Sequence, residues 1–178
     1  MDENVLTPAL MYRAAAVVAL LDILLVIALT RQIGTDGLRR ARWTVPLVSG
    51  VFWVGVWLTM VVVFWDDVYG HVFPAWARWL VPPVYGLGFA GVGALWRYLA
   101  LRVPRAAVAV FVTLWGVTGA LTHTYAIAAA GLLERPPMLR SLTPASAVVF
   151  ATFEFGFYGC AILALGSLLG RTTGRSRG

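Results

Sequence analysis

Three ionisable residues stand within long apolar stretches of this chain: Asp22, His123 and Glu154. A carboxyl or imidazole group is costly to bury in an apolar environment, so these residues indicate proton transfer, ion binding or a buried hydrogen bond. Tyr158 follows Glu154 at a spacing that places both on one face of a helix. We predict that these residues form the polar core of a helix bundle. A purely structural role, with each group neutral and hydrogen-bonded to a neighbouring helix, is the alternative.

His123 and Glu154 also have the positions expected of an interhelical pair. The apolar stretches that contain them are joined by a short connection, so the two helices are expected to be antiparallel neighbours. Each residue lies about 15 Å from the same end of its helix at the usual rise per residue. We therefore predict that the two side chains meet and form a hydrogen bond.

The segment WDDVYGH carries a second group of possible ligands, namely Asp66, Asp67 and His71. D-x-x-x-H spacing suits one helical turn, and carboxylate and imidazole groups are common metal ligands. Together with His123 and Glu154 they could form a metal site near one face of the bundle. A solvated acidic loop is the alternative interpretation. We predict no cofactor, and a metal ion at these residues or a haem held by His123 are the alternatives.

The glycines Gly86, Gly88 and Gly91 spell G-x-G-x-x-G, the pattern of a dinucleotide-binding turn. That turn requires a preceding strand and an acidic residue about 20 positions later, but the next acidic residue is Glu134. We therefore expect no bound dinucleotide. Small residues four positions apart instead favour close packing of membrane helices. The predicted packing positions are Gly86, Ala90, Gly93 and Ala94, with Gly116 in the following helix.

The composition explains what surrounds these residues. Of the 178 residues, 60% are hydrophobic and 12% are charged, with a mean hydropathy of +0.81. Soluble domains carry about 25% charged residues, so the chain is predicted to be a polytopic membrane protein. Its single cysteine, Cys160, excludes an internal disulfide. The net charge of +6 comes from arginine alone and, in a membrane protein, indicates topology rather than nucleic-acid binding.

Five segments are long enough to cross a hydrocarbon core of roughly 30 Å as helices, at about residues 8–30, 45–65, 82–101, 106–133 and 144–170. Continuous apolar runs of this length favour helices over the strands of a barrel. The Trp-rich segment at about 71–81 is too short to span and is predicted to lie at the membrane interface. The polar, basic tail 171–178 is predicted to be disordered. The predicted fold class is thus an all-α bundle of five transmembrane helices, forming one domain over residues 1–178.

The arginines are distributed unequally between alternate loops, and this determines the predicted orientation. Ten of the 14 lie on one side: Arg31, Arg39, Arg40, Arg42, Arg97, Arg102, Arg105, Arg171, Arg175 and Arg177. Four lie on the other side: Arg13, Arg78, Arg135 and Arg140. Because positively charged loops are retained in the cytoplasm, we predict the N-terminus outside and the C-terminus cytoplasmic, in the cell (inner) membrane.

The sequence carries no G-x-S-x-G, Walker lysine, C-x-x-C or H-E-x-x-H motif. We predict a non-enzymatic protein, either a subunit of a larger membrane assembly or a small proton- or ion-linked transport protein. Its expected partners are the lipid bilayer and other membrane subunits or further copies of itself, with no nucleic acid. A membrane-embedded, metal-dependent enzyme with its site near the outer face is the alternative.

Overall fold

The computed structural model describes residues 6–66, 69–71, 73–134 and 136–175. Over these residues the chain is helical and has no strand, and its long helices are α1 (Pro8–Arg40), α2 (Thr44–Phe64), α3 (Val81–Arg102), α4 (Ala107–Ala130) and α5 (Pro144–Arg175). Short 3-10 helices occupy Tyr69–His71, Ala75–Trp79 and Pro137–Leu139. Each long helix contains a stretch that is long and apolar enough to cross a membrane, which confirms the predicted five-helix, all-α membrane bundle.

The local sequence explains where α1 and α5 begin. Thr7 Oγ1 accepts a hydrogen bond from the N–H of Leu10 at 3.2 Å, and Pro8 takes the first helical position, where no N–H is needed. Before α5, Thr143 Oγ1 accepts from the N–H of Ser146 at 3.2 Å, and Ser146 Oγ accepts from the N–H of Thr143 at 3.1 Å. This reciprocal pair satisfies two backbone donors at the helix start.

Glycine conformations explain how α1 and α4 differ from their predicted bounds. α1 continues past residue 30 to Arg40, with a break at Gly34, whose φ of 57° and ψ of 174° are non-helical. α4 ends at Ala130, before the predicted end at residue 133. It ends there because Gly131 adopts a left-handed conformation, with φ 63°, and its N–H donates to the Ala126 carbonyl.

α5 also extends beyond its predicted end. It continues to Arg175 and so includes the first five residues of the tail that was predicted to be disordered, whereas residues 176–178 lie outside the described part of the chain. Arg171 Nη2 donates to the Gln32 carbonyl at 3.1 Å. This bond ties the last turns of α5 to α1 and explains why the helix persists.

α5 is the central helix of the bundle. It packs along α1 and α4 and partly along α2, whereas α3 packs along α2 and makes few contacts with α4. α1 and α5 run parallel, because Ser141 Oγ donates to the Leu6 carbonyl at one end and Arg171 reaches Gln32 at the other. The α2–α3 hairpin is thus set against a group formed by α1, α4 and α5. We call the end with the start of α1 and the α2–α3 and α4–α5 connections the N-terminal end.

Small residues of α3 face α2. A methyl group added at Gly86 would lie 3.1 Å from the Gly50 carbonyl oxygen, one added at Gly50 would lie 3.1 Å from Ala90 Cβ, and one added at Gly93 would lie 2.8 Å from a serine of α2. Ala94, which the sequence placed on the same face, is exposed. In an α-helix, side chains eight positions apart, such as those at 86 and 94, point about 80° apart. Side chains seven positions apart, such as those at 86 and 93, point only about 20° apart. The contact therefore follows Gly86 and Gly93 and leaves Ala94 outside.

Of the other glycines considered, one packs against a neighbouring helix and two have no neighbouring atoms. Gly116 of α4 lies against α5, where an added methyl group would be 3.0 Å from the Thr152 carbonyl oxygen. Gly88 and Gly91 have no atom within 4 Å of an added methyl group. Because the whole G-x-G-x-x-G pattern lies inside α3, it forms no turn between a strand and a helix and lacks the geometry that holds a pyrophosphate.

Candidate functional site

A cavity of about 460 Å³ separates the α2–α3 hairpin from α4 and α5 at the N-terminal end. It exists because α3 and α4 make few contacts, which include the rings of Trp96 and Phe111, 5.5 Å apart and edge to face. The walls are formed mainly by Trp53 and Trp57 of α2, Tyr85 and Phe89 of α3, Thr122, His123 and Tyr125 of α4, and Glu154, Phe155 and Tyr158 of α5.

Tyr69, in the connection between α2 and α3, also lines the cavity. Its ring lies 5.1 Å from that of Trp57, which in turn lies 4.2 Å from Tyr85. Burial raises the pKa of Tyr69 to about 12, and the nearby Tyr85 contributes in the same direction. The Tyr69 phenol therefore remains a neutral hydroxyl at ordinary pH.

Three nearly parallel rings form what we call the aromatic floor: Trp53 and Phe89, which line the cavity, and Trp115, which stacks on them without lining it. Their centroids are 4.1 Å apart for Trp53 and Phe89, 5.3 Å for Phe89 and Trp115, and 5.8 Å for Trp53 and Trp115. Trp115 is fully buried, and a methyl group added at Gly159 of α5 would lie 3.0 Å from its ring. This packing separates the cavity from the opposite end of the bundle.

Glu154 and His123 supply the carboxyl and imidazole groups of the cavity wall. Tyr158, one turn along α5, donates its hydroxyl hydrogen to Glu154 Oε1. His123 Nδ1 lies 3.3 Å from the Gly119 carbonyl oxygen, which only accepts, so this nitrogen carries a hydrogen. The His123 ring stands edge-on to Phe155 at 5.6 Å. The second imidazole nitrogen, Nε2, accepts a hydrogen bond when the ring is neutral and donates one when it is protonated.

His123 and Glu154 lie on the wall of the same cavity. No hydrogen bond joins these two described side chains: Glu154 accepts from Tyr158, and His123 Nδ1 lies against the Gly119 carbonyl. The end of α4 at Ala130 places His123 about 10 Å from its helix end, whereas Glu154 lies about 15 Å from Pro144. The equal depth expected from the sequence is therefore not observed, and the offset is about one helical turn.

Asp22 lies on a different surface of α5. A methyl group added at Gly156 would be 2.6 Å from Asp22 Oδ2, so the carboxyl group packs directly on the α5 backbone. Its Oδ1 is buried and has no hydrogen-bond partner among the described residues. Positions 154 and 156 point about 160° apart around a helix. The predicted polar core is thus divided between the cavity, with His123, Glu154 and Tyr158, and the α1–α5 contact, with Asp22.

The residues predicted to bind a metal ion are not brought together where the structure describes them. Asp66 and His71 are exposed, whereas His123 and Glu154 line the cavity, and Asp67 lies outside the described residues. α2 ends at Phe64, before Asp66, and the aspartate of the D-x-x-x-H pattern, Asp67, is not among the described residues. Within the described part of the chain, no three or more His, Cys, Asp or Glu side chains are grouped so that they could hold a metal ion.

The aromatic walls are the part of the site that the sequence reasoning missed. Trp53 and Trp57 are four residues apart in α2, and Tyr85 and Phe89 are four residues apart in α3. Residues at that spacing share a helix face, so each hairpin helix carries an aromatic face. This signal was present in the sequence. Tyr69 carries no such signal, because nothing in the local sequence shows that the connection between α2 and α3 folds over the cavity.

Comparison of this chain with protein-family models, with curated proteins and with solved structures finds no match. Its class follows from its own helices, five of which are long and apolar enough to span a membrane. It is a small polytopic membrane protein. A more specific function has to be inferred from the cavity and the side chains that line it.

Proposed function

We propose that this protein is a small, non-enzymatic, proton-linked transport protein whose substrate binds in the cavity. The observation that supports this most directly is the position of Glu154, an ionisable side chain on the wall of a largely aromatic cavity of about 460 Å³. Small-molecule sites have volumes of roughly 300–1,000 Å³. An acid in an apolar membrane cavity is stable when it is protonated or paired with a cation, so its protonation depends on what the cavity contains.

The proposal includes an orientation in the cell (inner) membrane. With the N-terminus outside, as the arginine distribution predicts, the cavity opens toward the outer side and the aromatic floor lies toward the cytoplasm. Leu121 and Tyr125 line the cavity and are also 67% and 63% exposed, so the cavity reaches the surface of the bundle between α3 and α4. An amphipathic substrate therefore has access from the outer solution and from the outer leaflet. A C-terminal fluorescent-protein fusion that matures only in the cytoplasm tests this orientation.

Release on the other side requires the opposite end of the bundle to open. There, Thr44 Oγ1 of α2 donates to the Gly166 carbonyl of α5 at 2.5 Å, and Val45 packs on the same glycine. These contacts, together with the aromatic floor, hold that end closed. Rocking of the α2–α3 hairpin against α1, α4 and α5 would break them while closing the cavity mouth, which is the general form of alternating access.

Cysteine accessibility tests whether the cavity is open to the outer solution. In a Cys160→Ser background, Thr122→Cys places a thiol on the cavity wall, and Thr118→Cys is the matched control, one turn away on α4 and outside the cavity. We expect a membrane-impermeant maleimide added to intact cells to label Thr122→Cys and not Thr118→Cys. Equal labelling of the two variants, or no labelling of either, would contradict the proposed opening of the cavity to the outer solution.

Proton linkage is tested in liposomes that contain the purified protein and a pH-sensitive dye. Cationic, neutral and anionic amphiphiles of similar size are added outside, one at a time. We expect at least one class to cause a saturable change of internal pH that Glu154→Gln abolishes, since the exchanged proton comes from that carboxyl group. A dye response to no class of amphiphile, or an unchanged response of Glu154→Gln, contradicts the proposed function.

A further inference from the structure

We propose that the substrate of the cavity is a lipophilic organic cation, held between aromatic rings with Glu154 as its counter-ion. This inference rests on the proposed function and names the substrate class of the same site. It follows from the ring geometry of the walls, from the charges that face the cavity and from the access between α3 and α4.

Many of the side chains that line the cavity are aromatic, and several of their rings are tilted against one another. The rings of Trp57 and Tyr85 lie 4.2 Å apart at an interplanar angle of 42°, and those of Trp53 and Phe155 lie 4.9 Å apart at 43°. Tilted rings of this kind cannot all cover one another's faces. The face of an aromatic ring carries negative potential and attracts a cation that has lost its water. A cavity with such walls favours an apolar cation over an apolar anion.

The charged groups around the cavity also favour a positively charged ligand. None of the described residues that line it is an arginine, and Glu154 is its one carboxylate. Tyr158 supplies a single hydroxyl to that carboxylate, so a second oxygen is available to a ligand. The titratable groups near Glu154 are His123 and Tyr125 on α4, Tyr85 on α3, Tyr69 before α3 and Tyr158 on α5, with Asp22 of α1 on the far side of α5.

An anion in this cavity would meet aromatic rings and the Glu154 carboxyl group, and it would have no arginine among the described lining residues to pair with. A small hydrated cation would gain little from rings, because its water shell would have to be removed. A bulky organic cation has a weak water shell and an apolar surface that matches the walls. It can also partition into the outer leaflet and reach the cavity beside the exposed Tyr125.

Binding is an exchange of one cation for another at Glu154. The carboxyl O–H bond breaks, its proton leaves to the outer solution, and the organic cation takes a position beside the carboxylate. Tyr158 continues to donate to the same group. The net charge of the site is unchanged by the exchange, which avoids leaving a bare charge in the membrane. No bond within the ligand is formed or broken, and nothing is oxidised or reduced.

Three probes of similar size and different charge test the substrate class: tetraphenylphosphonium, tetraphenylborate and triphenylphosphine oxide. Binding to the purified full chain in a neutral detergent is measured by calorimetry, with protein-free micelles as the blank. We expect saturable binding of tetraphenylphosphonium, release of one proton per cation, and weaker binding at acidic pH. We expect Glu154→Gln to weaken this binding by about tenfold or more and to abolish the proton release.

Matched variants separate ring and charge effects from general damage. Tyr85→Leu removes a ring and should weaken cation binding by roughly three- to tenfold, whereas Tyr85→Phe keeps the ring and should bind within about twofold of the unchanged chain. Asp22→Asn neutralises the other buried acid, on the far side of α5, and should leave binding unchanged. If Glu154→Gln fails to fold, the acid dependence and the proton release of the unchanged chain still decide the proposal.

Contrary results overturn either this inference alone or the proposed function as well. Tighter binding of tetraphenylborate or triphenylphosphine oxide than of tetraphenylphosphonium would show that the cavity binds an amphiphile of another class and would contradict only the cation proposal. Loss of cation binding in Asp22→Asn but not in Glu154→Gln would also contradict it. Binding of none of the three probes would contradict the cation proposal and, together with unlabelled Thr122→Cys, the transport function.

Discussion

The two sides of α5 hold acidic residues in opposite environments. On one side, Glu154 lines a cavity of about 460 Å³ and accepts a hydrogen bond from Tyr158. On the other side, Asp22 of α1 presses on the backbone at Gly156, and its Oδ1 has no partner among the described residues. Both acids come from long apolar stretches of sequence, and residue type alone does not distinguish them.

The difference shows that burial of an acid in a membrane bundle does not by itself make a functional site. Exchange of a proton for a substrate requires space beside the carboxyl group and a route to it, and both are present at Glu154. Asp22 has neither, because the α5 backbone fills the space in front of it. A buried acid without a donor lowers stability, since its desolvation is not compensated by a hydrogen bond.

The largest expected effect comes from a bulky substitution on the side of α5 that packs against Asp22. Gly156→Leu would drive a side chain into Asp22 and push α1 from α5, and we expect a loss of about 3 kcal/mol in the free energy of unfolding. Gly88→Leu is the matched control, because no atom lies within 4 Å of a methyl group added there. Thermal unfolding in detergent measures both. Similar losses for the two variants would show that the packed side is no tighter than open surface.

Replacing each acid by leucine should change stability in opposite directions. Leu has nearly the shape of Asp, so Asp22→Leu removes an unpartnered oxygen and should stabilise the protein by about 1–2 kcal/mol. Glu154→Leu leaves the Tyr158 hydroxyl without its acceptor and should destabilise the protein by about 1 kcal/mol. Thermal unfolding in detergent shows whether each substitution raises or lowers the stability. Destabilisation by Asp22→Leu would mean that its carboxyl group has a stabilising partner.

The cavity mouth should lose stability at alkaline pH through Tyr69. Burial raises its pKa from the ordinary value of 10.0 to about 12 in the folded protein, so its contribution to stability is complete below about pH 10 and is lost as the pH rises toward 12. We expect this loss to be on the order of 1 kcal/mol and to be reduced in Tyr69→Phe. Phenolate absorbance, followed with pH in both proteins, identifies the titrating group. An identical alkaline decline in both proteins would exclude Tyr69 as its source.

The smallest effect distinguishes the two possible partners of Glu154. A double-mutant cycle of Tyr158→Phe and Glu154→Leu should give a coupling of about 0.6 kcal/mol, as is usual for hydrogen bonds between membrane side chains. The cycle of His123→Leu and Glu154→Leu should give a smaller coupling, because no hydrogen bond joins these two side chains. A larger coupling free energy for His123 and Glu154 than for Tyr158 and Glu154 would instead support the direct His123–Glu154 pair that the sequence alone indicated.

The sequence by itself determined the fold class, because the length and apolarity of a segment decide whether it crosses a membrane as a helix. It also determined the starts of α1 and α5, where Thr7 and Thr143 cap their own helices through local hydrogen bonds. It identified the buried acids and His123, since an ionisable residue in an apolar run is visible without a structure. It missed the end of α5, where Arg171 bonds to Gln32 of α1, and the ends of α1 and α4, where Gly34 and Gly131 take non-helical conformations.

Only the tertiary structure decided which acid faces a cavity and which is packed against a backbone. The contact between Asp22 and Gly156 joins helices at opposite ends of the chain, and the cavity is a space between α2, α3, α4 and α5 that belongs to none of them. Its size depends on where α3 and α4 separate, and the depth of His123 depends on a left-handed glycine at the end of α4. Apolarity is a property of each segment, whereas space is a property of how segments pack. For that reason the polar core predicted from sequence became two sites in the folded protein.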